Sequence, residues 1–184
     1  WPNAIGLADD VSESVAKNYL NVLCQSDISR VDGVKKDPDL ARAILRAYAR
    51  QTSTIDSDKS MYDDIRSNYA LVSEATIANY IKILKRLYII EDIEAWNPNI
   101  RSKTAIRTSP KKAFVDPSLA VAALGCSKKE LMLDINTFGL LFENLVGRDL
   151  SVYAKKHGGV LRHYRDRYGL ECDNVIHFPD GRYI

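Results

Sequence analysis

The chain has 184 residues, of which 46% are hydrophobic and 27% are charged, and we expect it to form two packed units. Its net charge of +2 excludes a strong overall attraction to polyanions, so any nucleic-acid surface must be local. The three cysteines form no CxxC pair, which argues against a zinc or redox site, and no apolar run approaches the roughly 18 residues that span a bilayer. We therefore expect a cytoplasmic protein with no membrane partner.

The first 60 residues are predicted to be mainly helical. Asp10 lies three residues before a glutamate, which is the spacing of a capping box, and the apolar residues that follow predict a first helix over 11–25. The segment 27–38 has no sustained period and predicts a loop. A second helix is expected to start near Pro38 and to end in the polar stretch 51–60.

A helix with one polar face is predicted over 73–87, where Ile77, Ile81 and Leu84 recur at helical spacing. A β-type run over 88–96 follows. Short helices, then a polar-faced helix, then a hairpin are the order of a winged helix-turn-helix, with 73–87 as the recognition helix. Its candidate contact residues for nucleic acid or another partner are Thr76, Asn79 and Lys82.

The segment 97–112 is basic and contains no acidic residue. Phosphate contact by the wing would need such a local concentration of positive charge. A solvated loop, or a docking surface for another domain, would show the same composition. The candidate binding residues in this segment are Arg101, Lys103, Arg107, Lys111 and Lys112.

The second half is predicted to alternate between strands and helices. A strand over 112–115 leads into a helix at Asp116-Pro117, which Gly125 closes, and Ser127 with Glu130 repeats the capping-box spacing. A long helix over 137–156 and strands over 160–166 and 170–178 complete the chain.

The long helix has a broad apolar face on a helical wheel, and two acids lie in or beside that face. Asp149 falls inside that face and would need an arginine partner, either Arg148, Arg162 or Arg165, whereas Glu143 falls at its border. The apolar face is formed by Phe138, Leu141, Phe142, Leu145, Val146, Leu150 and Tyr153. The histidines His157, His163 and His177 show no metal-ligand spacing, and we assign them no role.

Several extended strings, in this order, resemble one prokaryotic family: SDISRVDGVKKDP, LRAYAR, WNPNIRSKTAIRTSPKKAFVDPSLAVAALG, FGLLFENLVGRDLSVYA and YRDRYGLECD. The chain resembles, over almost its whole length, the C-terminal region of unknown function in AAA-like P-loop ATPases. The resemblance implies an N-terminal ATPase domain that precedes this region, then a winged helix and a restriction-endonuclease-like domain. It also implies that ATP and magnesium belong to the ATPase domain, because no G-x-x-x-x-G-K-[ST] motif occurs here.

The resemblance to the nuclease fold also implies candidate catalytic or metal-binding acids. Glu143 matches the helix glutamate of that fold and Asp173 matches the acid of its second core strand, while the completing ExK strand would come after Ile184. The alternative is structural: Glu143 would be a surface acid at a helix edge, and Asp173 would be a strand-end acid paired with an arginine. The chain starts on Trp1, and a strand pattern still runs at Ile184, so we interpret it as an excised piece of a longer protein.

The sequence thus predicts an α+β chain with a winged-helix-like unit over 1–110 and an incomplete restriction-endonuclease-like unit over 111–184. The first functional hypothesis is an accessory module that binds nucleic acid or a partner and has no ATPase site and no cofactor of its own. The alternatives are a metal-dependent nuclease-like domain, inactive in this chain, and a protein-interaction or dimerisation module. The expected partners are its own ATPase domain, DNA, or a second copy of the chain.

Overall fold

The computed structural model describes residues 4–98 and 108–184 and has the mixed α+β composition that the sequence predicts. Its helices are α1 (Asp9–Val22), α2 (Ile28–Arg30), α3 (Pro38–Arg50), α4 (Asp58–Arg66), α5 (Glu74–Arg86), α6 (Pro117–Leu124), α7 (Lys128–Leu133) and α8 (Ile135–Lys156). Its strands are β1 (Ile90–Ile93), β2 (Lys111–Phe114), β3 (Val160–Arg165) and β4 (Glu171–His177). Within the described ranges, no helix is both long enough and apolar enough to cross a bilayer.

The first helical segment is longer than predicted and starts differently. Ala8 is its N-cap and makes no side-chain cap bond, so the expected capping box at Asp10 is not formed. A π-helical turn over Leu23–Asp27 joins α1 to α2. This turn buries Leu23, and α2 buries Ile28, so apolar burial carries the helix through part of the expected loop.

Helix α3 begins where the sequence predicts, whereas α4 falls in a region that was expected to be irregular. The carboxylate of Asp37 accepts hydrogen bonds from the N–H groups of Asp39 (2.9 Å) and Leu40 (3.4 Å), and Pro38 occupies the first turn. In α4 only Met61 and Ile65 are buried. These two apolar residues, four positions apart in the sequence, lie on one side of this short polar helix, which packs against α3.

Helix α5 ends in a turn that usually requires glycine. The N–H of Tyr88 donates to the carbonyl of Lys85 (3.1 Å), and the N–H of Ile89 donates to the carbonyl of Leu84 (3.0 Å). This pair of bonds places the residue after the helix cap in the left-handed region, and Tyr88 has φ of 55°. Because Tyr88 is 80% exposed, burial of its ring does not offset the cost of that backbone conformation.

The two two-stranded sheets are linked by one isolated parallel bridge, between Ala95 and His163. Strand β1 pairs antiparallel with β2, with Ile90 opposite Phe114 and Ile93 opposite Lys111. Beyond β1, the N–H of His163 donates to the carbonyl of Glu94 (3.1 Å), and the N–H of Trp96 donates to the carbonyl of His163 (2.7 Å). These bonds attach the β3–β4 hairpin to the first sheet through a short parallel contact.

Strand β2 divides its side chains between two cores, as the alternation of a strand requires. Phe114 belongs to the main core, which α1, α3, α4, α5 and α6 also supply. Ala113 faces the opposite way, toward a small core with Ile93 and Leu161. Strand β2 and α6 were assigned to the second unit, and they pack extensively on elements of the first, with α6 against α1 and α3.

A single amide fastens α8 to the sheet. Asn144 is 3% exposed, its Oδ1 accepts a hydrogen bond from the N–H of Phe114 (3.1 Å), and its Nδ2 donates to the carbonyl of Phe114 (2.9 Å). The side chain thus pairs with β2 on the edge opposite β1, next to the parallel bridge between Thr52 and Lys112. Both bonds are buried, so each group would be costly to leave without a partner.

The C-terminal elements largely follow the sequence prediction, with two corrections. Ser127 and Glu130 form the predicted capping box, with both reciprocal hydrogen bonds present. The predicted apolar face of α8 is only partly covered, since Phe142 and Tyr153 are mostly exposed. Asp149 is not buried in that face and pairs with its neighbour Arg148 (2.8 Å) rather than with an arginine of β3.

Replacing Tyr88 with glycine should stabilise the chain. The Tyr88→Gly variant removes the left-handed strain of about 1–2 kcal/mol. The greater backbone entropy of glycine in the unfolded chain offsets about 0.5–1 kcal/mol of this gain, so the free energy of unfolding should rise by up to about 1.5 kcal/mol. Urea titration monitored by circular dichroism measures this change. Tyr153→Gly, in the interior of α8, should have the opposite sign, and a destabilised Tyr88→Gly chain would contradict the strain argument.

Removing the Asn144 amide should destabilise the chain strongly. The Asn144→Ala variant leaves the N–H and the carbonyl of Phe114 buried without partners, and the expected loss is about 2–4 kcal/mol in the free energy of unfolding. The exposed Asn136, in the first turn of the same helix, provides the matched control. Equal losses in Asn144→Ala and Asn136→Ala would show that the amide does not hold α8 to the sheet.

Candidate functional site

The structure brings together the two acids that the sequence singled out, and it places a lysine between them. The Nζ atom of Lys111 lies 2.6 Å from Oε1 of Glu143 and 3.0 Å from Oδ1 of Asp173. These residues, on β2, α8 and β4, are called the lysine–carboxylate cluster below. Their chemistry is that of one ammonium shared by two carboxylates.

Local sequence explains why the three side chains meet. Lys111 has the same strand parity as Ala113, so its side chain leaves β2 toward the small core. Glu143 precedes Asn144, whose amide fixes that turn of α8 against β2. One turn further along, Gly147 allows a close approach to β4, because a Cβ there would lie 3.2 Å from Oδ1 of Asn174.

Burial and charge set opposing pressures on the cluster. Lys111 is 6% exposed, and the ammonium would be costly to bury without its two partners. Desolvation raises the pKa of Glu143 above its ordinary value, the hydrogen bond and charge of Lys111 lower it, and the charges of Asp173 and Glu171 raise it. The ionisation of Glu143 therefore depends on the lysine beside it.

The cluster opens into a cleft of about 290 Å³ that Ser53, Asp56 and His163 also line. His163 is 1% exposed, and its Nε2 atom has no hydrogen-bond partner among the described residues. Burial, with the nearby charge of Lys111, lowers the pKa of His163 to about 4, while a hydrogen bond with the backbone of Ser109 opposes this. His163 is consequently neutral at pH 7 and presents an unshared nitrogen lone pair.

The cluster does not fit a metal ion as it stands. In the described part of the chain, no three His, Cys, Asp or Glu side chains are grouped so that they could hold one. The two carboxylates that could contribute are bound to the ammonium of Lys111, which already neutralises part of their charge. The arrangement is an ion triad that connects three elements, and we derive no metal-dependent step from it.

The basic segment of the sequence is divided by the structure. Arg101, Lys103 and Arg107 lie outside the described residues. Lys111 belongs to the cluster, and Lys112 is 2% exposed, with its Nζ atom 2.9 Å from Oδ1 of Asp58. The expectation that Lys111 and Lys112 form part of an exposed basic surface is wrong, because strand pairing turns each of them into the protein and gives each a carboxylate partner.

The polar residues predicted on α5 do lie on its exposed side. Thr76, Asn79 and Lys82 are all exposed, and Arg86 continues the same stripe one turn later. The hydroxyl of Thr76 is 3.0 Å from that of Ser73, the N-cap of the helix. Within the part of the chain that the structure describes, Asn79, Lys82 and Arg86 have no side-chain partner.

Sequence reasoning missed two members of the cleft. Lys111 was assigned to a basic loop because the strand was expected to start at residue 112, one position too late. His163 was assigned no role because it lacks a metal-ligand spacing, although the alternation of β3 buries it together with Leu161. Extending the strand pattern by one residue would have turned Lys111 toward Ala113 and away from solvent.

Removing the Lys111 ammonium should make stability depend more steeply on pH. The pKa of Glu143 is raised in the folded chain. Its carboxyl group therefore contributes stability at pH values below the ordinary glutamate pKa, and this stability is lost as the pH rises through the pKa of the folded chain. In Lys111→Met the pKa of Glu143 in the folded chain rises further. The free energy of unfolding should therefore fall below that of the wild type by about 2 kcal/mol or more at pH 7 and by less at pH 4.5. Urea unfolding at both pH values measures it.

The exposed Lys155, in the last turn of α8, is the control for this experiment. Lys155→Met removes the same charge and should leave the difference between the two pH values close to that of wild type. The account of the cluster would be contradicted if Lys111→Met lost equal stability at pH 4.5 and at pH 7.

Comparison with known proteins gives one match. No curated protein and no solved structure matches the chain. A family model described as a domain of unknown function, DUF8612, matches residues 1–130, which include α5, β1, β2 and Lys111 and stop before Glu143 and Asp173. Because this match covers well over half of the 184 residues, the chain belongs to the DUF8612 family of domains of unknown function.

Proposed function

We propose that this chain is an accessory module of an AAA-like ATP-binding protein and that it binds nucleic acid through the outer face of α5, formed by Thr76, Asn79, Lys82 and Arg86. One observation carries the proposal. The amide and the two cations of this face have no partner in the described structure, while the opposite side of α5 is buried in the main core. Amides and basic side chains on an exposed helix are the groups that contact bases and phosphates.

The order and packing of the elements support the interpretation of residues 38–114 as a winged helix. Helix α3 contacts both α4 and α5, and the β1–β2 hairpin follows α5 directly. This is the order of three helices and a hairpin in a winged helix, where the third helix reads the duplex. The basic residues Arg101, Lys103 and Arg107 lie outside the described residues and fall between β1 and β2 in the sequence.

The charge distribution supports contact with nucleic acid through one local surface and not through the chain as a whole. The net charge of the chain is only +2, and many of its basic side chains, including Lys111 and Lys112, already form ion pairs. On the outer face of α5, Lys82 and Arg86 have no ion-pair partner among the described residues and are available for phosphate contact. A small number of phosphate contacts predicts weak binding with a shallow but measurable salt dependence.

The link to an ATPase is supported by the sequence resemblance. The chain lacks the phosphate-binding motif of P-loop ATPases, so ATP and magnesium would be bound by an N-terminal domain, which is also its first expected partner. In this arrangement the module positions nucleic acid or another partner for that domain. Nothing in its function requires a cofactor of its own.

The outer face of α5 is tested by DNA binding across a salt series. Fluorescence anisotropy of a labelled 16-base-pair duplex should show binding that weakens as salt rises. In Lys82→Gln/Arg86→Gln, the slope of log K against log salt should fall by about 2, because each lost phosphate contact reduces the slope by about 1. A second variant, Arg101→Gln/Lys103→Gln/Arg107→Gln, tests the connecting segment, and it leaves the buried Lys111 and Lys112 unchanged.

The matched control is Lys155→Gln/Lys156→Gln, which removes two exposed cations from the end of α8. It should bind the duplex as the wild type does. If neither the duplex nor single-stranded DNA binds at low salt, the proposal is rejected and a protein-interaction or self-association module is left, for which the exposed Phe142 and Tyr153 of α8 are a starting point.

A second candidate function is a metal-dependent nuclease-like domain that is inactive in this chain. It is favoured by the meeting of Glu143 and Asp173, which lie 30 residues apart in the sequence, at one cleft beside a lysine. It is weakened because Lys111 occupies both carboxylates. Incubation with supercoiled plasmid and Mn²⁺ should yield no nicking, and nicking that is lost in Glu143→Gln would make this the leading function.

A further inference from the structure

A second cavity, separate from the cleft of the lysine–carboxylate cluster, lies at the C-terminal end of α5. Its volume is about 670 Å³, and its lining comes from α3, α4, α5 and the start of the first sheet. We call it the tyrosine pocket, and the residues that matter to the argument are Tyr48, Tyr62, Lys82, Lys85, Arg86 and Tyr88. A volume of this size is within the range of sites that bind small organic molecules.

The pocket carries a surplus of positive charge at its entrance. Two acids line it, and both are already paired. Asp92 is bonded to Lys85 and to the hydroxyl of Tyr48 (3.0 Å), and Asp58 is bonded to Lys112 (2.9 Å). The remaining cations, Lys82 and Arg86, have no partner among the described residues, so the pocket holds two uncompensated positive charges. A ligand that neutralises them must carry negative charge.

The aromatic lining indicates a planar group next to that negative charge. Tyr62 is half-buried on α4, whereas the ring of Tyr88 is exposed at the rim. Tyr88 is held in the left-handed backbone region, where glycine would close the helix without strain. A strained residue whose large ring contributes nothing to the core is typical of a site where the side chain has another use.

The helix dipole does not account for this group of cations. Lys85 and Arg86 lie in the last turn of α5, where positive charge is favourable, but Lys82 lies a turn earlier. The dipole also does not explain the tyrosine rings beside the cations. An anionic group with an attached aromatic ring satisfies both features at once.

From this combination we infer that the tyrosine pocket binds a nucleoside phosphate, with the base against the rings of Tyr62 and Tyr88 and the phosphate between Lys82 and Arg86. The nucleoside phosphate is either a free nucleotide or an unpaired nucleotide of a bound single strand. In the second case the inference deepens the proposed function and rests on it, since the pocket adjoins the outer face of α5 and shares Lys82 and Arg86 with it. Base stacking on aromatic side chains is tolerant of sequence, so no base preference is expected.

The test compares three probes on the whole chain: AMP by isothermal titration calorimetry, and labelled oligo(dA)₈ and a labelled 16-base-pair duplex by fluorescence anisotropy. The key variant is Tyr88→Gly, which removes the ring and relieves backbone strain, so weaker binding cannot be attributed to unfolding. It should weaken oligo(dA)₈ binding roughly five-fold or more, the factor expected when one base–aromatic stack is lost. Tyr153→Ala, which removes another exposed tyrosine ring, from α8, should bind as the wild type does.

The outcomes separate the pocket from the proposed function. Binding of AMP that weakens in Tyr88→Gly supports the inference with a free nucleotide as ligand. Binding of oligo(dA)₈ alone, weakened in the same variant, supports it with a nucleotide of a strand. If DNA binds but Tyr88→Gly has wild-type affinity for AMP and oligo(dA)₈, the pocket inference is rejected and the proposed function stands. If none of the three probes binds at low salt, both are rejected.

Discussion

The ammonium of Lys111, held between the carboxylates of Glu143 and Asp173, connects the two halves of this chain by charge. It joins a strand of the N-terminal hairpin to a helix and a strand that lie more than 30 and more than 60 residues away. The pair of hydrogen bonds from Asn144 to Phe114 holds the same region by neutral groups. Together they fix where α8 lies on the sheet.

That fixed geometry separates two surfaces with different character. On one side, strand β2 turns Lys111 into the cleft beside His163, where its ammonium is paired with Glu143 and Asp173. On the other side, the same hairpin follows α5, whose Asn79, Lys82 and Arg86 have no side-chain partner among the described residues. Buried ion pairs contribute mainly to the position of elements, whereas unpaired cations remain available to an anionic ligand. We therefore place the proposed binding function on α5 and give the cluster a structural role.

The α+β class, the positions of α3, α5, α7 and α8, and the pairing of β3 with β4 could be predicted from periodicity and cap residues. Helix α4 could not, because only Met61 and Ile65 of its nine residues face the core and a polar composition hides so short a pattern. Asp173 was found through family resemblance alone, whereas Glu143 was also marked by its place at the border of the apolar face of α8. Lys111 was placed in a loop, since a strand boundary that is wrong by one residue exchanges the two faces.

Tyr88 shows a further limit of sequence reasoning. Glycine after a helix is a readable stop signal, and Gly125 fulfils it at the end of α6. A tyrosine in the same backbone conformation carries no such signal and was interpreted as the first residue of a strand. Only the three-dimensional structure shows that its ring stands at a pocket shared with Lys82 and Arg86.

The most direct test of the account is to observe which backbone amides respond when DNA is added to the ¹⁵N-labelled chain. The account predicts that chemical-shift changes are concentrated on α5 and at Tyr88, and that the amides around Glu143 and Asp173 change little. Changes centred on the exposed face of α8 or on the lysine–carboxylate cluster, with α5 unaffected, would contradict it.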